Sequence, residues 1–202
     1  MSGQTWQGGT DITSFDGTFD GAGHTISNLD VTGRNPVGFI GALRGGTVKN
    51  LLLVNAHNNS DNGLTGGIVG HIEEGTVIAC AVSGCTVNAS GGMAGGIAGF
   101  VDDSGSVTAC YAASCNFIEA IGCGQIANLV EGSITACYYD GDGEGINTGD
   151  GDATRVDDND WQAAAEAMNK QLADNDYIWA VNPDTETKDD LPLVLVPNKA
   201  AQ

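Results

Sequence analysis

Four glycine-centred phrases recur through the middle of the chain at nearly constant spacing, and no other feature restricts the fold as tightly. They read Val37-Gly38-Phe39-Ile40-Gly41, Gly66-Gly67-Ile68-Val69-Gly70, Gly95-Gly96-Ile97-Ala98-Gly99 and an eroded Cys123-Gly124-Gln125-Ile126-Ala127. The steps are 29 residues from Gly38 to Gly67, 29 from Gly67 to Gly96 and 28 from Gly96 to Gly124. A period of this length marks a stacked repeat, in which each unit buries its apolar surface only against its neighbours. A second phrase accompanies the first, as Thr25-Ile26-Ser27-Asn28-Leu29, Thr47-Val48-Lys49-Asn50-Leu51, Thr76-Val77-Ile78-Ala79-Cys80, Ser106-Val107-Thr108-Ala109-Cys110 and Ser133-Ile134-Thr135-Ala136-Cys137.

Within one repeat the strand signals are short and separated by turn residues, and no helical period appears before residue 158. Short strands, glycine corners and a period near 29 fit one turn of a parallel β-helix, so the chain is expected to be an all-β solenoid of about five coils. Ile26, Val48, Val77, Val107 and Ile134 are expected to stack inward, as are Leu29, Leu51, Cys80, Cys110 and Cys137. The outward column between them holds Asp30, Leu52, Ala81, Tyr111 and Tyr138. Replacing Gly67 or Gly96 by a β-branched residue is expected to cost stability, because corners need close approach.

Residues 1–152 form the solenoid in this reading and residues 153–202 a cap over its open edge, which would otherwise invite strand pairing. Asp158 to Asp160 offer an N-cap, and Trp161, Ala165, Met168 and Leu172 make an apolar stripe on a helix from about 160 to 173. An extended tail with Trp179 and Leu191-Pro192-Leu193-Val194-Leu195 follows. An exposed first coil near Gly3 to Gly9 offers an edge to a neighbour.

Against 26 Asp and Glu stand only 7 Lys and Arg, a net charge of -19, which disfavours nucleic acid and anionic membrane surfaces. No stretch approaches the ~20 apolar residues of a membrane span, and the start has no signal-peptide pattern. The chain therefore reads as cytoplasmic, or as a piece of a longer secreted, multidomain protein. The six cysteines fall at repeating positions, Cys80, Cys110 and Cys137 at one and Cys85 and Cys115 at another, as buried free thiols would, with Cys123 besides.

The phrase Gly-Gly-Ile-Val-Gly, followed by Gly-Thr-Val and a cysteine, resembles the GLUG repeat of bacterial surface proteins. Phe19-Asp20-Gly21-Ala22-Gly23-His24-Thr25-Ile26-Ser27-Asn28-Leu29 looks like the opening coil of such arrays, and Cys137-Tyr138-Tyr139, Met168-Asn169, Trp179 and Leu191-Pro192-Leu193 like their ending. The resemblance implies a right-handed parallel β-helix from secreted or wall-attached proteins, among them adhesins and the non-catalytic region of some immunoglobulin-cleaving metallopeptidases. It implies no catalytic residues, and the expectation is a non-enzyme at the cell surface or outside the cell.

Three groups of residues are candidates for chemistry. Asp140, Asp142 and Glu144 alternate with glycine, and Asp150 and Asp152 follow, as in the first half of a calcium loop; a solvated acidic turn is the alternative. Arg44, Glu73 and Asp103 are expected in one column, with Asp102 beside them, and Arg44 can offset Glu73. His24, His57 and His71 fall at unlike repeat positions. Tyr111 and Tyr138 on the outward column can stack on a sugar or on a partner's apolar surface, or hold the cap.

The function expected is adhesion or binding, with carbohydrate or a host or cell-surface protein as partner. The alternatives are a carbohydrate-active enzyme, which would show a concave groove with two close carboxylates, and a calcium-stabilised spacer. A pure module would show flat walls.

Overall fold

A computed structural model of the chain describes residues 14–157, 159–183 and 191–201; Gly3 to Gly9 and Asp158 lie outside the described residues. The chain winds as a parallel β-solenoid whose strands pair only with their counterparts one coil away. A long wall stacks Thr18–Asp20, Ile40–Lys49, Val69–Ile78, Ala98–Thr108, Ala127–Val130 with Ser133–Thr135, and Ile146–Gly149. A second wall stacks Thr25–Ser27, Leu52–Val54, Ala81–Ser83, Tyr111–Ala113, Cys137–Tyr139 and Ala153–Arg155. The third wall holds Asp30–Gly33, His57–Ser60, Thr86–Asn88 and Asn116–Ile118, and the fourth Leu64–Gly66, Met93–Gly95 and Gly122–Gly124. With four rungs in the third wall there are about four full turns, flanked by partial coils. Because Ala153–Arg155 pairs with Cys137–Tyr139, the solenoid runs three residues past the boundary expected at 152.

Register displaces Ile26, Leu29 and Asp30 from the columns expected for them: Asp30 pairs with His57 on the third wall, Leu29 lies just before it, and Thr25 stands beside Leu52. Phe19, not Ile26, heads the inward ladder of Val48, Val77, Val107 and Ile134. Ile26 belongs one wall further on, stacked with Leu53, Val82, Ala112 and Tyr139. The numbering carries the reason, since Thr25 and Thr47 are only 22 residues apart (47 − 25), short of one 29-residue turn. The fourth glycine phrase also keeps the 29-residue step, because Gly95 pairs with Gly124 and Ala98 with Ala127. Gln125 therefore stands where Gly67 and Gly96 stand.

The interior is a continuous stack of Val, Ile, Leu and cysteine. Cys80, Cys85, Cys110 and Cys137 are buried, Cys115 is half-buried and Cys123 exposed, and all six are free thiols. Burial pushes the Cys85 thiol up to about 11 and those of Cys110 and Cys137 well above the ordinary thiol range, so they remain protonated and pack as small apolar groups. At the close-packed corners Gly67 and Gly96 have no room for a side chain: a Cβ on Gly67 would strike the Gly96 carbonyl, and one on Gly96 the Gln125 carbonyl. The turn from the long wall to the second is made by one residue in the left-handed region, Asn50, Ala79, Ala109 and Ala136 in successive coils, with φ between 49° and 54°.

The C-terminal segment lies along the side of the solenoid, against the outward face of the second wall, and not across its end. Its helix, Trp161–Asn169, starts where the Asp160 carboxylate accepts a hydrogen bond from the Ala163 N–H at 3.2 Å. A hairpin of Tyr177–Val181 and Leu193–Pro197 completes it. Leu52, Ala81 and Tyr111 from three consecutive coils share one buried cluster with Trp161, Met168, Leu172, Trp179 and Leu193. The anchor is polar as well as apolar: the Tyr111 hydroxyl donates to the Leu193 carbonyl at 2.6 Å and the Trp179 indole N–H to the Ala109 carbonyl at 2.8 Å. At the opening coil, Asn175 donates to the Asn50 side chain at 2.8 Å and Lys49 lies 3.5 Å from Asp176. A wall whose outward column is Leu, Ala and Tyr demands such a cover, since that much apolar surface would otherwise face water.

Candidate functional site

The five acids expected to hold a metal do not converge. Asp140 is half-buried, and its carboxylate accepts the Ser114 N–H at 2.7 Å. Asp142 faces the Arg155 guanidinium at 3.3 Å, and Asp152 accepts the Ala136 N–H at 3.0 Å and the Thr154 hydroxyl at 3.3 Å. Glu144 and Asp150 are exposed. Among the described residues no three His, Cys, Asp or Glu side chains gather as a metal-holding group. Residues 141–143 bend, so the period of two that would put Asp140, Asp142 and Glu144 on one face is broken, and two of the five acids, Asp140 and Asp152, bond to backbone amides instead of gathering around a cation.

The aromatic pair expected on the outer face is a correction too. Tyr111 is fully buried beneath the helix and hairpin, its ring 5.3 Å from that of Trp161 and 5.0 Å from that of Trp179. Tyr138 is half-covered by the same segment and lines a seam with Arg155, Asp157 and Asp160. Neither presents an open ring for a ligand.

On the long wall, Arg44 binds Glu73 through two nitrogens, each 2.8 Å from a carboxylate oxygen. Asp103 is exposed and takes no part in that pair, because the strands shift register between Val101 and Ser104. Asp102 is met by His71: the imidazole lies 3.4 Å from Asp102 and 3.7 Å from Glu73, and it stacks on Phe100 at 4.9 Å with an interplanar angle of 6°. The signal for this cluster was the 29-residue step from His71 to Phe100, which stacks unlike residues as firmly as like ones.

A concave feature lies elsewhere, at the corner between the fourth wall and the long wall. It is a groove of about 520 Å³ lined by Asn35, Asn62, Gly63, Leu64, Gly91, Gly92, Met93, Ile121, Gly122, Asn128, Leu129, Asn147 and Thr148. No lining residue is charged. Ile121 is 83% exposed and Met93 40%.

The groove exists because the last coils reverse a size pattern. Leu64, Met93 and Gly122 are paired rungs of the fourth wall. Six residues after each comes a position on the long wall, and there Gly70 and Gly99 are followed by Asn128. Where the first position is large the second is glycine, and a Cβ on Gly99 would meet the Thr65 nitrogen at 2.7 Å. Where the first is Gly122 the second carries an amide. A Cβ on Gly122 would lie 2.9 Å from Asn128 Nδ2 and 2.8 Å from Asn147 Nδ2, so the missing side chain makes room for both amides. Asn128 is 2% exposed and, among the described residues, its Nδ2 has no hydrogen-bond acceptor. A 28-residue step to the fourth phrase hides this column; at 29 residues Gly70 and Gly99 are followed by Asn128, and Asn147 stands one coil beyond it.

No family model and no curated protein matches the chain. Among solved structures it is similar to one described as a "putative immunoglobulin A1 protease from Bacteroides ovatus", at 19% identity over 82% of this chain and 75% of that chain, with a TM-score of 0.48. Among the described residues no helix is long and apolar enough to cross a membrane.

Proposed function

We propose that the chain is a non-enzymatic binding module of a secreted or cell-surface protein, a stiff β-solenoid that presents the corner groove to its partner. The observation that carries the reading is a groove without a single carboxylate on a chain that holds 26 acids. Glycoside hydrolysis by the usual route needs two carboxyl groups across the scissile bond, and the groove offers none. The groove departs from the flat walls expected of such a module, and it lacks the pair of close carboxylates expected of the enzyme. The likeness of the glycine phrases to GLUG repeats supports the surface placement.

A carbohydrate-active enzyme would have to use the half-buried cluster of Glu73, His71 and Asp102 on the long wall. Arg44 already holds Glu73 with both guanidinium contacts, which leaves it poorly placed to take a proton. The test is to incubate the protein with immobilised oligosaccharides and extracellular matrix proteins, then to analyse both retained ligand and supernatant by mass spectrometry. Retention of intact ligand is the expected result. Release of cleaved fragments, abolished by Glu73→Gln or Asp102→Asn, would overturn the reading in favour of the enzyme.

A further inference from the structure

We infer that the groove takes a neutral oligosaccharide, bound by its hydroxyls to the asparagine amides and by its ring faces to the apolar side chains; this rests on the binding-module reading above. Charge selects the class first. At a net charge of -19 the protein repels sulfated, sialylated and phosphorylated ligands, and a lining without carboxylates gives a cationic ligand nothing to pair with. What the lining does offer is amides, each able to donate and accept at once, as adjacent sugar hydroxyls require.

One donor is waiting. Among the described residues Asn128 Nδ2 is buried without an acceptor, an unfavourable state unless something offsets it. Asn147 Nδ2 converges on the same spot above Gly122 and donates to the Thr148 hydroxyl at 3.4 Å. A ligand hydroxyl seated beside Gly122 would supply the acceptor that Asn128 lacks. Around it, Met93 and Ile121 leave apolar surface open to a pyranose face. Rungs one coil apart are separated by ~4.8 Å, close to the length of one sugar unit in an extended chain, so a groove crossing about three rungs suits an oligomer better than a monosaccharide.

An extended peptide is the competing occupant, and it would want a free strand edge. Leu64–Gly66 and Met93–Gly95 are already paired along the groove, and the one edge left in that sheet is the three-residue strand Gly122–Gly124, crowded by the Asn128 and Asn147 amides, so side chains do most of the recognising.

The test uses the intact protein on an array of neutral, sialylated and sulfated oligosaccharides and extended peptides, followed by calorimetric titration of the best ligand. Two variants accompany it. Asn128→Gly installs the residue that earlier coils carry at this position, and Ile121→Asp places a charge on a side chain that is already exposed. Melting temperatures report whether each variant is folded. The expected result is binding to a neutral oligosaccharide, unchanged from low to high salt, weakened about tenfold by Asn128→Gly, as the loss of a hydrogen bond predicts, and weakened by Ile121→Asp as well. Neutral-glycan binding indifferent to both variants, preference for anionic glycans, or no glycan binding at all would each overturn the inference. Peptide binding that both variants abolish would overturn the ligand class while leaving the module reading intact. Cleavage of the bound glycan would overturn the module reading itself.

Discussion

On the second wall the outward column runs Leu52, Ala81, Tyr111 and Tyr138, and the C-terminal helix and hairpin cover it; at the corner groove Leu64 and Met93 are followed by Gly122, and nothing among the described residues covers it. Both are outward surfaces of the same repeat, and both change character in the later coils. The first gains bulk, and the bulk is met by tryptophans and a matched backbone acceptor. The second loses bulk at one position and gains an amide six residues later whose hydrogen bond is not met within the protein. In a solenoid, then, an aromatic on an outer column can be core, while the informative departure is a polar group that replaces glycine and finds no partner.

Trp179 offers the strongest way to break that contrast. Its indole is buried, edge-on to the Tyr111 ring, and donates to the Ala109 carbonyl; its own backbone is gripped by Asn169, whose carbonyl oxygen accepts the Trp179 N–H at 2.8 Å and whose amide donates to the Trp179 carbonyl at 2.9 Å. Trp179→Ala is expected to cost about 4 kcal/mol in urea denaturation, from lost burial and an emptied cavity. A cost below about 1 kcal/mol would mean that the covering segment is loosely held and that the second wall is itself an accessible surface.

The next largest effect tests the reversal in size. Moving the last coil's amide back one coil, as Gly99→Asn, drives a side chain into the Gly70 carbonyl and the Thr65 nitrogen, at 2.6 and 2.7 Å from the new Cβ. Overpacking of this kind costs about 1–3 kcal/mol, and here the obstacle is backbone, so the upper end is expected. The converse, Asn128→Gly, is expected to change stability by less than about 1 kcal/mol, since it removes an unpaired amide while adding backbone freedom. Equal costs for the two, read from thermal melts, would show that the glycine column does not decide where the groove opens.

Tyr111→Phe is smaller again. It keeps the ring and removes only the hydroxyl that donates to Leu193, stranding a buried carbonyl at an expected cost of about 1–2 kcal/mol. No measurable cost would put water at that hydroxyl, and with it a looser seam than the distance of 2.6 Å describes.

How much of this could be read beforehand follows from the same residues. The period placed the solenoid and its inward columns because stacking makes like residues neighbours, and a hydrophobic ladder reports itself at every rung. The apolar stripe of Trp161, Ala165 and Met168 gave away the helix in the same way, although it ends at Asn169 and not near 173, so Leu172, buried like the other three, lies beyond it. What the helix packs on was not legible. Tyr111 reads equally as binding surface or as core until the fold shows that the segment lies along the second wall. The groove was harder still, because it depends on Gly122 and Asn128 together, two residues on different walls whose exchange of volume appears only in register. The acidic loop misled for the opposite reason: five carboxylates close in sequence are drawn apart by Ser114, Ala136 and Arg155, none of which announces itself as a partner.

The smallest expected effect concerns one of those carboxylates. Burial raises the Asp140 carboxyl above its ordinary range, with the Ser114 N–H and Arg155 only partly offsetting it. A folded-state pKa above the unfolded value of about 3.9 means that the folded chain binds the proton more readily, so between the two values stability falls as pH rises, and at neutral pH the burial cost is fully present. Asp140→Asn keeps an oxygen for the Ser114 N–H and removes the charge. It is expected to raise stability at pH 7 by on the order of 0.5 kcal/mol, with the gain vanishing as pH drops below about 3.9, where the wild-type acid is protonated in both states. Repeating the melts with millimolar calcium and with magnesium is expected to shift neither protein by more than about 1 °C. A calcium-specific rise in the wild type that Asp140→Asn removes would instead mean that the loop gathers its acids around a cation, and would place a second site at the end of the solenoid where the groove lies.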